Sequence, residues 1–583
     1  MFIRKIITVL TTSVFIVYGE VPEVVTTHGK VQGKVLTTLL ENIQYFGFMG
    51  IPYASPPLKN LRFLPPHAID PWDEVLIATK EKSACIQFNI NVKKGQPLGH
   101  YGVEDCLYLD IFTPKLDNEK RAVIVFLHNE YFTCSYNKTK DYAPDFFIEE
   151  DIIVVTINHR LSVLGFLSFE DNSLPGNAGL KDVVEALKWV KNNIDRFGGN
   201  PEKITLMGSH GGAAAVDLII HSNAKDLFHS AIMQSGTALS TNYLQSEVKA
   251  RAFQLGELLK LSTSSSQRLL EYLRGVPASD LLYKNIHASP KDYYKDNQRS
   301  VLSFGPIVET QPDGLITEYP ENSSAAIQIP TMIGFNSREG LEMSLQYLIE
   351  PKYLSFVEKD FPFLMPKRVN FKFNPIQEEY YAAIDDIKKF YFPNKKVRIK
   401  NIAEYVTYIG DVLSAYPVDS TVNMFANKTT SSVYYYYFDY YSELNENKNN
   451  LMKLSSVEDG TWGAATGDEL CYLFKCPSLK KQYLKYHKSL SKERTIQRKM
   501  VRMWSNFAKY GDPAPEGDIV LENLKWPPYD IHTKRYLHIY ENFKIRTELY
   551  KERFQFWDQF IDTWKKRAVN GIVSGKKNKN DEL

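Results

Sequence analysis

Four short stretches of this sequence carry the residues most able to do chemistry. Gly208-Ser209-His210-Gly211-Gly212 follows an apolar, β-branched run. Its glycines permit a sharp reversal, because glycine takes backbone angles that other residues avoid. A tight turn presents its apex side chain to a pocket. Midway between Gly208 and Gly212 that side chain is the imidazole of His210, and the Ser209 hydroxyl comes one position early. Sliding the turn to bring Ser209 to the apex would put Met207 in place of a framing glycine. Asn336-Ser337-Arg338-Glu339-Gly340 offers a carboxylate, and Gly463 to Leu470 offers Thr466 with Asp468 and Glu469. The run VIVFLH ends at His128 and is followed by Asn129, Glu130, Tyr131 and Phe132. Serine-type acyl transfer needs a hydroxyl nucleophile, a base to take its proton, an acid to orient the base, and N–H donors for the oxyanion. His487 lies in the Lys-rich stretch KKQYLKYHKSLSKER, which reads as an exposed helix and makes it a surface residue. No cofactor and no metal ion are expected.

Strands and helices must hold these stretches in place. Apolar runs at Ala122 to Leu127, Ile152 to Asn158, Ile204 to Gly208, Ala231 to Gln234 and Thr331 to Phe335 predict buried strands. Between two of them Leu180, Val183, Val184, Leu187, Val190, Ile194 and Phe197 recur at helical spacing, and Gly198 marks the stop. Alternating strands and helices imply a largely parallel sheet covered on both faces. Gly340 to Val422 is less regular and suits an insertion over the sheet's edge. SVYYYYFDY from Ser432 reads as another strand, and Ile545 to Trp564 as a closing amphipathic helix. The 583 residues carry 44% hydrophobic and 24% charged residues, which excludes wholesale disorder. With 70 basic and 68 acidic residues the net charge is +2, so no nucleic-acid partner is expected. Five cysteines exclude a disulfide-rich scaffold, and the odd count leaves at least one without an intramolecular partner.

The ends point to the secretory pathway. Residues 1–19 join Arg4 and Lys5 to an apolar run from Ile6 to Tyr18 and read as a signal peptide cut after Gly19. The run is shorter than the ~20 residues a membrane span needs, and no transmembrane anchor follows. Residues 566–583 form a basic, polar tail, and Asn580 to Leu583 (NDEL) resemble a retrieval signal of the endoplasmic reticulum, read by a KDEL-type receptor. Asn137, Asn322 and Asn427 open glycosylation sequons that become usable in that lumen.

Ordered motifs between these ends resemble the type-B carboxylesterase/cholinesterase family of α/β-hydrolases. GIPYASPP begins at Gly50, EDCLYLDIFTP at Glu104, INHRLSVLGFLS at Ile157, PGNAGLKD at Pro175, FGGNPEKITLMG at Phe197, MQSG at Met233, FGPIVE at Phe304 and YGDP at Tyr510. The resemblance implies an α/β-hydrolase fold over residues 20–565: a large, mostly parallel central sheet flanked by helices, with insertions over the active-site gorge. It implies buried ion pairs Arg62–Glu104 and Arg160–Asp182 and a disulfide Cys85–Cys106. Cys134, Cys471 and Cys476 receive no assignment.

The same resemblance maps a mechanism onto residues that do not carry it. The family sets its nucleophile in a G-x-S-x-G elbow, where this chain has His210. Its base comes from a segment resembling GxxHGDEL, where this chain has Thr466. Its oxyanion loop reads HGGGF, where this chain has Asn129, Glu130 and Tyr131 after His128. A carboxylate at Glu130 would repel a developing oxyanion. The acid position keeps a carboxylate, Glu339. The expectation is therefore a pseudoenzyme: a catalytically silent carboxylesterase-like glycoprotein of the endoplasmic reticulum lumen. It would bind a small apolar ligand or a luminal protein. Neuroligin-like and glutactin-like members of the family likewise lack esterase chemistry. The alternative is a carboxylic ester hydrolase with a displaced mechanism, in which His210 and Thr466 have exchanged places and His210 activates the threonine hydroxyl. The resemblance also raises a homodimer through the closing helix.

Overall fold

The computed structural model describes residues 21–574, apart from 90–98, 137, 290, 291, 301, 325, 459 and 490. The proposed signal peptide, Asn137 and the NDEL end therefore lie outside the described residues. An 11-stranded sheet organises the molecule. Its strands in chain order are β1 (Lys34–Thr37), β2 (Gln44–Pro52), β3 (Tyr108–Thr113), β4 (Arg121–Asn129), β5 (Ile153–Ile157), β6 (Gly199–His210), β7 (Ser230–Gln234), β8 (Thr331–Asn336), β9 (Val433–Phe438), β10 (Arg535–Ile539) and β11 (Lys544–Thr547). They lie side by side in the order β11-β10-β9-β8-β7-β6-β4-β5-β3-β2-β1. From β5 through β4 and β6 to β10 every neighbouring pair is parallel, and the pairs at both flanks are antiparallel. β4, β5, β7, β8 and β9 are buried at every position. Unbroken burial is what helices on both faces demand, and it explains why these strands read as continuous apolar runs instead of alternating ones.

The expected helix forms as α1 (Ala178–Asn193), with Leu180, Val183, Val184, Leu187 and Val190 buried. A 3₁₀ turn over Ile194–Phe197 follows, and Gly198 stops it at φ 82°. α2 (Gly211–Ile220) leaves the end of β6, and α3 (Lys492–Tyr510) packs across the sheet with Trp504 and Phe507 buried. The insertion after β8 is more helical than its sequence suggests, with Glu378–Tyr391, Ile402–Gly410 and Tyr416–Lys428 all helical.

The closing helix α4 spans Lys551–Lys565, shorter than the expected run. Ile545 belongs to β11, whose alternating β-branched residues pair with β10. The polar tail opens with a small hairpin, Ala568–Val569 against Ile572–Val573, which buries Val573 and bonds to Lys372. His487 lies on the helix Lys480–Ser489 with a 38% exposed side chain.

Family-type cross-links hold the loops. Arg62 donates from Nε to Glu104 at 2.7 Å, and Arg160 donates from Nε to Asp182 at 2.8 Å. Cys85 and Cys106 are bonded. Cys471 and Cys476, unassigned from sequence, form a second disulfide, and Cys134 is a buried free thiol. Among the described residues no helix is long and apolar enough to cross a membrane.

Candidate functional site

β6 runs straight into α2, and His210 is the hinge, at φ 55° and ψ −122°. An L-residue at positive φ is strained, so the surroundings must enforce it. They do so through glycine. A Cβ at Gly208 would collide with the Gly212 carbonyl, and one at Gly212 with the Leu127 carbonyl of the adjoining strand. The elbow therefore closes only with glycine at both framing positions, and it puts His210 at the apex. Ser209 stays within β6, fully buried, with its Oγ 3.1 Å from the His210 Nδ1.

The imidazole is 3% exposed and faces a carboxylate that the sequence does not single out. Nε2 lies 3.8 Å from Glu342 Oε2, an ion-pair distance longer than a direct hydrogen bond. Burial alone would lower the ring's pKa. The contact and charge of Glu342, with the charges of Glu130 and Glu339, overcome that and hold it at about 9. At neutral pH the apex group is thus an imidazolium. Its place at the N-terminus of α2 runs against the helix dipole, which favours anions there; the acids around it supply the compensation. His128, 5.9 Å away ring to ring, is the opposite case. Burial, then the His210 charge, lowers its pKa well below the usual imidazole value. Its Nδ1 accepts the Tyr136 N–H at 3.1 Å, which leaves the proton on Nε2.

The loop after β4 curls back on itself. The Thr133 N–H donates to the Glu130 carbonyl at 2.9 Å, with Tyr131 at φ 51° and Phe132 at φ 56°. That is a type I′ turn, which glycine and asparagine usually occupy. Two of its N–H groups are already engaged. Glu130 donates to the Cys134 carbonyl at 2.8 Å, and Phe132 donates to Asn129 Oδ1 at 3.0 Å. The Asn129 amide oxygen also fills the space beside Gly211 that a Cβ would need. Tyr131 stacks on Tyr243 at 5.9 Å, and Phe132 packs edge-on against Phe166 at 5.1 Å. Glu130 accepts the Cys134 thiol at 3.6 Å. Burial, with the charge of Glu342, raises its carboxyl well above the usual range.

Glu339, just past β8, accepts the Asn336 N–H at 2.6 Å and the Ser235 hydroxyl at 2.7 Å. Burial raises its pKa, against the pull of these bonds. Thr466 turns its hydroxyl to the Glu339 backbone carbonyl at 3.1 Å. Its loop is pinned by Asp468, which accepts the Ala465 N–H at 2.7 Å, and by Glu469, which accepts from Gln234 at 3.0 Å. The next residue, Gly467, packs beside the imidazole, so a Cβ there would lie 3.1 Å from His210 Cε1. The structure thus brings His210, Glu339, Thr466 and the Asn129–Tyr131 loop to one place. It adds Glu342, Ser235 and Cys134. The one signal for Glu342 is its helical spacing of three from Glu339.

A strand–turn–helix elbow at the carboxyl edge of a mostly parallel sheet, with a carboxylate following the strand two places along, defines an α/β-hydrolase. A sequence profile of the carboxylesterase family matches residues 20–557. Juvenile hormone esterase of Tribolium castaneum is 31% identical over 526 residues, which cover 87% of this chain and 85% of that protein. Esterase FE4 of Myzus persicae is 30% identical over 499 residues, covering 83% and 84%. Carboxylesterase 5A of Homo sapiens is 30% identical over 556 residues, covering 93% and 90%. The chain belongs to the carboxylesterase family.

Proposed function

We propose that this protein is a catalytically silent carboxylesterase, resident in the endoplasmic reticulum lumen, that binds a small apolar ligand or a luminal protein. The observation that carries the reading is an imidazole, that of His210, at the elbow apex. By resemblance the hydrolase mechanism needs a serine hydroxyl there, and an imidazolium is neither a nucleophile nor a base. Two further features support it. The Glu130 N–H, at a position that would receive the oxyanion, is spent on the Cys134 carbonyl. Tyr131 and Phe132 pack against Tyr243 and Phe166 beside the apex. The displaced mechanism is the weaker reading, because the Thr466 hydroxyl points to a backbone carbonyl and His210 would accept its proton only above pH ~9.

The luminal address rests on the signal-peptide pattern and the NDEL end, which a KDEL-type receptor would retrieve. Asn322 and Asn427 are exposed, as glycan acceptors must be. A homodimer through α4 fits the stacked pair Phe390 and Phe556 at that helix, with Phe390 38% exposed. The test of silence is turnover of 1-naphthyl acetate and 4-nitrophenyl butyrate from pH 6 to 10. No rate above buffer is expected at any pH. Saturable hydrolysis near neutrality would overturn the reading, and hydrolysis that emerges only above pH 9 would restore the His210–Thr466 alternative.

A further inference from the structure

A polar hollow of about 290 Å³ lies away from the elbow, between the helix Tyr416–Lys428, the amino-terminal half of β9 and the closing helix α4. Charges of both signs line it: Lys551 and Glu548, which pair with each other at 2.9 Å, and Lys367, Lys534, Asp419 and Asp558. Among the described residues none of the last four joins an ion pair. Asp419 accepts only neutral donors, Asn423 at 2.9 Å and Tyr435 at 3.4 Å. Asp558 accepts the Tyr416 hydroxyl at 2.7 Å. Lys367 lies over the Tyr416 ring, 5.2 Å from its centre.

The protein treats other sunken charges differently. Lys138 meets Asp110 at 3.0 Å, Lys181 meets Glu309 at 2.6 Å, and Arg553 of α4 meets Asp411, just before the helix Tyr416–Lys428, at 2.7 Å. Lys367 and Asp419 are half-buried and lose part of their hydration, whereas Lys534 and Asp558 stand exposed at the rim. Burial pushes the Asp419 carboxyl up to about 7 and lowers the Lys367 ammonium. An anion alone would meet only the lysines, and an amine alone only the acids.

We propose that this hollow binds a small zwitterion of the amino-acid type, its carboxylate held by Lys367 and Lys534 and its ammonium by Asp419 and Asp558. The site is separate from the elbow and does not depend on whether the elbow is silent. Asn423 stands beside the acids, fixed by the Tyr529 hydroxyl at 2.8 Å, and Phe554 and Leu549 give an apolar wall for a side chain.

Calorimetric titration of the full chain with each proteinogenic L-amino acid tests this, with acetate, ethylamine and inorganic phosphate as singly functional controls. At least one amino acid binds at one site per chain with Kd below about 1 mM, and each control binds at least about tenfold more weakly. The double variant Lys367→Met/Lys534→Met and the single variant Asp558→Asn each weaken that binding about tenfold or more. Lys534 and Asp558 are exposed, so the fold tolerates their change; unaltered circular dichroism verifies it. Asp419→Asn adds a second acidic test, with Tm as its folding control. The proposal is overturned if no amino acid binds at 10 mM, an upper limit set about tenfold above that Kd. It is equally overturned if acetate or phosphate binds as tightly as the amino acid, or if the variants bind unchanged.

Discussion

Replacing Glu342 by glutamine probes the charge at the elbow without touching the elbow itself. In the parent protein the His210 pKa stands at about 9 against an ordinary 6.5. An imidazole whose pKa is raised on folding adds stability that is complete below pH 6.5 and is lost as pH climbs through 9. The difference corresponds to roughly 3 kcal/mol at 1.36 kcal/mol per unit. Glu130, raised by burial and by Glu342, acts in the same sense, since its ionisation also withdraws stability as pH rises. Both effects depend on Glu342. In Glu342→Gln burial governs, and His210 is neutral at pH 7. The assay is the difference in Tm between parent and variant at steps from pH 6 to pH 10. For a chain of this length ~3 kcal/mol moves Tm by about 2–3 °C. The parent should be the more stable protein at pH 6, and its advantage should shrink by that amount by pH 10. The depressed pKa values of His159 and His221 owe nothing to His210 and cancel in the difference. Parallel curves over the whole range would refute an imidazolium held by Glu342.

Rebuilding serine and histidine with His210→Ser/Thr466→His should not return robust esterase activity. The Glu130 N–H stays engaged with Cys134, and one missing oxyanion donor costs about 10²–10³ in rate; rapid ester turnover by the double variant would contradict this. Removing the Cys85–Cys106 bond by serine substitution should lower stability by about 3 kcal/mol, and removing Cys471–Cys476 by about 2 kcal/mol, because the second loop is much shorter. Denaturant melts of the two variants check that order. Deleting Asn580 to Leu583 should send glycosylated protein into the medium, as read by fractionation and glycosidase sensitivity. An unchanged distribution would end the retrieval reading.

The buried strands were legible because a strand covered on both faces must be apolar throughout, as Ala122 to Leu127 and Thr331 to Phe335 are. The elbow was legible from Gly208 and Gly212, since no other residue fits against the backbone there. Ile545 misled because its apolar spacing continues into α4, whereas pairing with β10 ends the strand at Thr547 and the helix starts at Lys551. Glu342 was not legible as the partner of His210, because the contact depends on how the chain after β8 folds back across β6. Nor was the Asn129–Cys134 turn, which holds Tyr131 and Phe132 at positive φ against their intrinsic preference. The Cys471–Cys476 bond could not be chosen from sequence among three unassigned cysteines. It closes around Leu473 and Phe474, whose burial draws the two ends together.

The most direct test of a silent elbow is intact-mass analysis after exposure to a fluorophosphonate probe, which reports an activated hydroxyl without needing turnover. With His210 at the apex, Ser209 sealed within β6 and Thr466 turned to the Glu339 carbonyl, the folded protein should keep its unmodified mass while a related esterase labels fully. One adduct per chain, mapped by peptide sequencing to Ser209 or Thr466 and abolished by denaturation, would contradict the account.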